Sequence, residues 1–349
     1  MATERGISEL SRPLHLTSIE WNHPQYRTSV MSCLVQGVYS MEVDRQKNQL
    51  GPKAQAPPWW DMNHFTLLET LIESDDSIYG AIFEYKYYNY YENIPSLRTP
   101  PRYVIAFRGT ILKADTWFRD AANNLRIIFD SLHQGTRFAH AMFAIHKMVA
   151  KYNDASVWLT GHSLGAGLAL LAGKTMARYG FFLETYIFNP PVSSFPLEQL
   201  FHSRVIKGAI RIAGCLVKAG VAKILKNLEV QDNDLSTNIA SWTPYLYVNP
   251  RDPICSEYIG YFRNKRFMSK IGLSEIERIA NENPLRSLFV ETSSSPSPSY
   301  FSDGPLHLLP SAYMTVNFSE SNNIRRAHGL RQWWDQSFNC KYVLYQFSS

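Results

Sequence analysis

The residues best suited to covalent chemistry gather around position 163. Gly161-His162-Ser163-Leu164-Gly165, with Gly167 just beyond, follows the apolar run 156–160 and opens an Ala/Leu/Gly-rich run over residues 164–178. A G-x-S-x-G block set between a strand and a helix forces a tight turn, and the residue at its apex is held in a strained conformation. Gly161 and Gly165 bring no side chain to clash there. Ser163 is then presented as a nucleophile above the carboxyl edge of a sheet, with a helix N-terminus beneath it. A nucleophilic serine needs a base to take its proton and an acid to orient that base. In this arrangement the three follow in the chain order Ser, Asp, His. Asp252 is the expected acid. It lies in Tyr247-Val248-Asn249-Pro250-Arg251-Asp252-Pro253, directly after the apolar run 244–248, and the end of a strand there shares an edge with the serine turn.

Two histidines lie downstream of Asp252. His328, in Arg326-Ala327-His328-Gly329-Leu330 ahead of Gln332-Trp333-Trp334, is the preferred base. His307, in the Pro/Gly segment Gly304-Pro305-Leu306-His307-Leu308, is the alternative. His162 neighbours the nucleophile, but the turn aims its side chain away from Ser163, and it is read as structural. Acyl transfer also needs donors for the tetrahedral oxyanion. The backbone N–H of Leu164, next after the nucleophile, is one expected donor. Thr110 is the other, in Arg108-Gly109-Thr110 after the apolar run Tyr103–Phe107, and it could offer its N–H and its hydroxyl.

These residues imply a particular set of elements. Residues 77–86, 103–107, 156–160, 183–188 and 244–248 read as strands, with 313–317 and 342–347 as late ones. Residues 135–152 and 164–178 have helical spacing, as do 115–129, where Trp117, Phe118, Leu125 and Ile128 share one face. Asp61 is placed to cap a helix through Phe65, Leu68, Leu71 and Ile72. Residues 274–281 read as a short helix and 322–334 as mostly helical. Strand, turn and helix alternate through the middle of the chain. The expected fold class is therefore α/β, with a mainly parallel central sheet and helices on both faces.

The expected organisation is an N-terminal extension over residues 1–60 and one catalytic domain over 61–349. The domain carries a helical insertion at about 197–240 and a Ser/Pro loop at 293–299. The insertion mixes Ile206, Ile210, Val221 and Ile224 with Lys207, Arg211, Lys218 and Lys223. A basic amphipathic helix of that kind can contact an anionic membrane or a lipid droplet, or pack as a cap on its own domain.

Composition narrows the function classes. The chain has 349 residues, 45% of them hydrophobic and 19% charged, which excludes a wholly disordered protein. The net charge of +5 is spread along the chain, so no nucleic-acid partner is expected. The four cysteines form no C-x-x-C pair, which argues against a zinc module. Charges at Glu4, Arg5, Glu9 and Arg12 disfavour a signal peptide, and there is no apolar run of about 20 residues. A cytoplasmic location is expected, and the chemistry needs neither metal nor organic cofactor.

Taken as a set, Phe107-Arg108-Gly109-Thr110 after a strand, the Trp-bearing segment 115–126, Thr160-Gly161-His162-Ser163-Leu164-Gly165-Ala166-Gly167 and Tyr247–Pro253 resemble the class 3 lipases. These are the fungal-lipase-like members of the α/β-hydrolase superfamily. The likeness covers about residues 60–335 and is strongest to plant soluble members, some of which carry a GDSL esterase/lipase label. It implies an α/β-hydrolase fold, a lid at residues 115–126 with Trp117 and Phe118 as lid residues, and Asp252 and His328 as acid and base. The implied activity is serine hydrolysis of carboxylic esters, of the triacylglycerol lipase or phospholipase A type. Two alternatives stand beside it: a carboxylesterase or thioesterase for small esters, and a catalytically silent lipase-like interaction protein.

Overall fold

The computed structural model describes residues 18–92, 98–111, 135–192, 239, 241–270, 309–319, 323–335 and 339–346. Among them are eight strands that form one sheet in chain order. They are β1 (Phe65–Ile72), β2 (Ile78–Tyr85), β3 (Tyr103–Phe107), β4 (Val157–His162), β5 (Thr185–Phe188), β6 (Tyr245–Val248), β7 (Ala312–Asn317) and β8 (Cys340–Tyr345). β3 to β7 are parallel; β1–β2, β2–β3 and β7–β8 pair antiparallel. Every residue of β3, β4 and β5 is buried, as continuous apolar runs covered on both faces should be.

Alternation along the strands separates two cores. Ile105, Leu159, Ile187 and Leu246 face one layer, which is packed by α2 (Thr136–Tyr152), α3 (Leu164–Arg178) and α4 (Glu257–Lys270). Ala106, Trp158, Tyr186, Phe188 and Tyr247 face the other, which is covered by α1 (Pro24–Gln46). Helix α1 belongs to the segment read as an N-terminal extension. Its sequence shows no apolar stripe because nearly all of its circumference is buried, Ser29, Ser32, Cys33 and Glu42 included. The small residues let it lie close: a Cβ on Gly37 would come 3.1 Å from the Trp60 ring.

One expected helix is a strand. Residues 65–72 form β1, antiparallel to β2. The three-and-four spacing of Phe65, Leu68, Leu71 and Ile72 suggests a helix, but the register slips between Leu67 and Glu69. A bulge there adds one residue to the strand and resets its phase. Leu68 is thereby left 48% exposed between the buried Phe65 and Leu71. Helix α4 carries no expectation from the sequence. The lid residues Trp117 and Phe118, the alternative base His307, nearly all of the insertion 197–240, the short helix at 274–281 and the Ser/Pro loop 293–299 lie outside the described residues. Among the described residues no helix is long and apolar enough to cross a membrane.

The topology gathers the carboxyl ends of the parallel strands along one edge. Arg108–Gly109 follow β3, Ser163 follows β4, Asn189 follows β5 and Asp252 lies four residues after β6. His328 closes the short α5 (Ile324–His328), after β7.

Candidate active site

Ser163 sits between the last residue of β4 and the first of α3 with φ 55° and ψ −125°, a region that side chains rarely occupy. The turn is held on both sides. The Ser163 N–H donates to the Phe188 carbonyl at 3.0 Å, and the Gly167 N–H donates to the Ser163 carbonyl at 3.1 Å. Gly161 and Gly165 are required for space. A Cβ on Gly161 would lie 2.5 Å from the carbonyl carbon of Gly165, and one on Gly165 would lie 2.6 Å from the Arg108 oxygen. Helix α3 therefore begins in contact with the end of β3. The same crowding brings the third strand's loop to the serine, since a Cβ on Gly109 would meet the Ser163 Cβ at 2.8 Å. Thr110, next to it, is exposed. Leu164 is the first residue of α3, so its N–H has no intrahelical acceptor.

Asp252 and His328 meet directly. His328 Nδ1 donates to Asp252 Oδ2 at 2.8 Å, with the carboxylate fully buried. Oδ2 also accepts from Asn189 Nδ2 at 2.7 Å and from the Cys255 thiol at 3.1 Å; Oδ1 accepts from the Ile254 N–H at 3.0 Å. Burial opposes ionisation of Asp252. His328 and the hydrogen bonds from His328, Cys255 and Asn189 outweigh it and hold the carboxyl below its usual range. With Nδ1 bound as a donor, a neutral His328 ring keeps Nε2 as its basic nitrogen.

The histidine loop is fastened to its surroundings. Asn189 Nδ2 also donates to the Ala327 carbonyl at 3.1 Å, while its Oδ1 accepts from Trp333 Nε1 at 2.7 Å. Gln332 Nε2 donates to the Ala327 carbonyl at 2.5 Å and to the Gly329 carbonyl at 2.9 Å. His162 Nε2 donates to the His328 carbonyl at 2.7 Å, and the two rings lie 4.7 Å apart. The residue beside the serine thus anchors the residue expected to act as base.

The structure therefore brings Ser163, Leu164, Gly109–Thr110 and the Asp252–His328 pair to one edge of the sheet. Asn189, Cys255, Gln332 and Trp333 are additions that the sequence did not single out. Asn189 follows β5 with φ 48°, a left-handed conformation that Asn tolerates better than most residues, but the sequence carries no signal of its contacts. Cys255 and Trp333 likewise have none, because their contacts span other elements.

A serine at a strained strand–helix turn, an aspartate–histidine pair and a mainly parallel eight-stranded sheet define an α/β-hydrolase. The class 3 lipase profile, described as Lipase (class 3), matches residues 104–196, from β3 to just past β5. A GDSL esterase/lipase of Arabidopsis thaliana is 41% identical over 359 aligned positions, covering 99% of both chains. The chain belongs to the class 3 lipases, carboxylic ester hydrolases of the α/β-hydrolase fold. Its serine stands in Gly-His-Ser-Leu-Gly, and the sequence contains no Gly-Asp-Ser-Leu block. A putative lipase of Saccharomyces cerevisiae, ATG15, is 41% identical over 70 residues, 20% of this chain and 12% of that protein. Among solved structures, a lipase from Rhizopus microsporus var. chinensis aligns at 16% identity over 48% of this chain and 57% of its own. Its TM-score of 0.27 adds nothing to the assignment.

Proposed function

We propose that the chain hydrolyses acyl-lipid esters through an acyl-enzyme on Ser163. The observation that carries this reading is the buried His328–Asp252 pair, 2.8 Å apart and tied by His162 to the turn that presents the serine. His328 Nε2 takes the Ser163 hydroxyl proton as the oxygen attacks the ester carbonyl, and Asp252 stays ionised to hold the imidazolium. The Leu164 N–H, with the N–H and hydroxyl of Thr110, receives the oxyanion; removing one such donor raises the barrier by about 3 kcal/mol. The imidazolium then returns its proton to the leaving alcohol. Water repeats the cycle on the acyl-serine, releasing the acid and regenerating the hydroxyl.

A fluorophosphonate probe tests the nucleophile. It should label Ser163 in the native protein and leave Ser163→Ala unlabelled. The same substitution should lower ester hydrolysis by several orders of magnitude without unfolding the chain. Retention of more than about one per cent of activity would remove Ser163 from its role. A chain-length series of nitrophenyl esters addresses the substrate: rising kcat/KM toward long acyl chains supports the lipid reading, and a maximum at acetate or butyrate replaces it with a small-ester one.

A further inference from the structure

Helix α1 reaches the edge that carries Ser163 through Tyr39. Its hydroxyl lies 2.8 Å from the Gly109 nitrogen and 2.9 Å from His162 Nδ1. The directions of these bonds follow from the chemistry of each group. The His328 carbonyl can only accept, so His162 Nε2, 2.7 Å away, carries the proton. Burial and the neighbouring His328 push the pKa of His162 down to about 3, so its ring is neutral and Nδ1 is an acceptor. Tyr39 therefore donates to Nδ1, and its oxygen accepts the Gly109 N–H. Three hydrogen bonds run without a break from the loop after β3, through α1 and the serine turn, to the backbone of His328.

The loop after β3 needs such restraint. Gly109 has no side chain, and its place against the Ser163 Cβ leaves no room for one. Its backbone is instead pinned at both ends. Tyr39 holds its N–H, and the Arg108 guanidinium holds its C=O at 2.7 Å while its Nε donates to the Ile78 carbonyl at 2.5 Å. A trans peptide points its N–H opposite its C=O, and there are no cis peptides among the described residues. Fixing the Gly109 oxygen on the arginine thus turns the Thr110 N–H the other way. Glu42, three residues beyond Tyr39 on α1, accepts the Ile78 N–H at 2.9 Å. Burial lowers the pKa of Arg108, and the Glu42 charge opposes that shift. The N–H of Gly109 is occupied, so it is not an oxyanion donor.

We propose that Tyr39 is a positioning residue for ester hydrolysis: its hydroxyl sets the orientation of the Gly109–Thr110 backbone and locks it, through His162, to the loop that carries His328. The proposal rests on the reading of Ser163 and Thr110 given above. Tyr39→Phe keeps the ring and removes both bonds. In the full chain, kcat on a nitrophenyl ester should fall about ten- to a hundredfold with KM within about twofold of the parent, because the oxyanion exists only beyond the ground state. Affinity for an alkyl boronic acid, which forms a tetrahedral adduct on the serine, should fall by the same factor as kcat.

Nitrogen-15 NMR of the unmodified protein supplies a second readout that does not depend on the variant folding. His162 should show a protonated Nε2 and an unprotonated Nδ1 at pH 7. A kcat for Tyr39→Phe within about twofold of the parent, a rise in KM alone, or a proton on His162 Nδ1 in the parent overturns the proposal while leaving Ser163 in place. Failure of the parent itself to hydrolyse esters or to take the fluorophosphonate overturns the underlying reading, and the proposal with it.

Discussion

Acid should weaken this protein through one buried ring. His162 is 6% exposed and neutral, with its pKa pushed down to about 3 against an ordinary value of 6.5. Between those values the unfolded chain binds a proton that the folded chain does not. Stability is therefore full above about pH 6.5 and is lost progressively as the pH falls toward 3. The slope in that window approaches about 1.4 kcal/mol per pH unit, and moving from pH 7 to pH 5 should cost about 2 kcal/mol. That is a large part of the typical 5–15 kcal/mol holding a domain together. Urea unfolding followed by tryptophan fluorescence at both pH values, on the parent and on His162→Gln, isolates the contribution. His146, whose pKa burial also lowers, and the carboxylates contribute equally to both proteins and cancel in the double difference. His162→Gln should lose about 2 kcal/mol less than the parent over the two pH units. Equal losses in the two proteins, within about 0.5 kcal/mol, would refute the neutral His162 and with it the hydrogen-bond directions drawn from it.

Other expectations follow from the same geometry. His328→Ala should be inactive toward esters while His307→Ala retains substantial activity, and steady-state assays showing the reverse would move the base. Asn189→Asp replaces the donor 2.7 Å from Asp252 Oδ2 with a second carboxylate. It should lower kcat/KM at pH 7 at least tenfold and destabilise the fold by about 3–5 kcal/mol in urea, the scale of an uncompensated buried charge. If the site is gated at a lipid interface, activity on a long-chain ester should jump as the substrate passes from monomers to micelles, and Trp117→Ala should blunt the jump; a smooth saturation curve in both would exclude interfacial gating.

The candidate site was legible where it rests on local chemistry. Gly161, Ser163 and Gly165 sit between a buried strand and an Ala-rich helix, and that context alone demands a tight turn with no side chains around its apex. Chain order and the strand ending at Val248 pointed to Asp252 and to His328 or His307; the structure pairs Asp252 with His328, and His307 lies outside the described residues. What stayed hidden has a common cause. Tyr39, Asn189, Cys255 and Trp333 act through contacts between elements far apart in sequence, and no local period reports such a contact. Residues 65–72 misled for a related reason: the bulge after Leu67 gives a strand the apolar spacing of a helix, and only its pairing with β2 distinguishes them. Helix α1 was obscured because amphipathicity is the usual signal of a helix, and a helix buried on nearly every side has none.

That burial also accounts for what α1 does. The aromatic face of the sheet, built from Trp158, Tyr186, Phe188 and Tyr247, takes part of its cover from α1 and part from Trp21 and Trp333. Exposing such a face costs about 25 cal/mol per Å², so the helix is part of the domain's core energetics. Once fixed there, it carries polar groups to the strands and to the loops of the candidate site. Arg27 donates to the Tyr186 hydroxyl at 3.2 Å, Thr28 shares a hydrogen bond with the Tyr247 hydroxyl at 2.8 Å, Tyr39 meets Gly109 and His162, and Glu42 meets Ile78. Packing fixes the axis of the helix, and these bonds fix its rotation and depth. A change that shifted α1 by even one ångström would break the Tyr39 contacts before it emptied the core. Conservative cavity-forming substitutions such as Val35→Ala or Leu34→Ala, at fully buried positions of α1, should accordingly lower kcat while the protein remains folded.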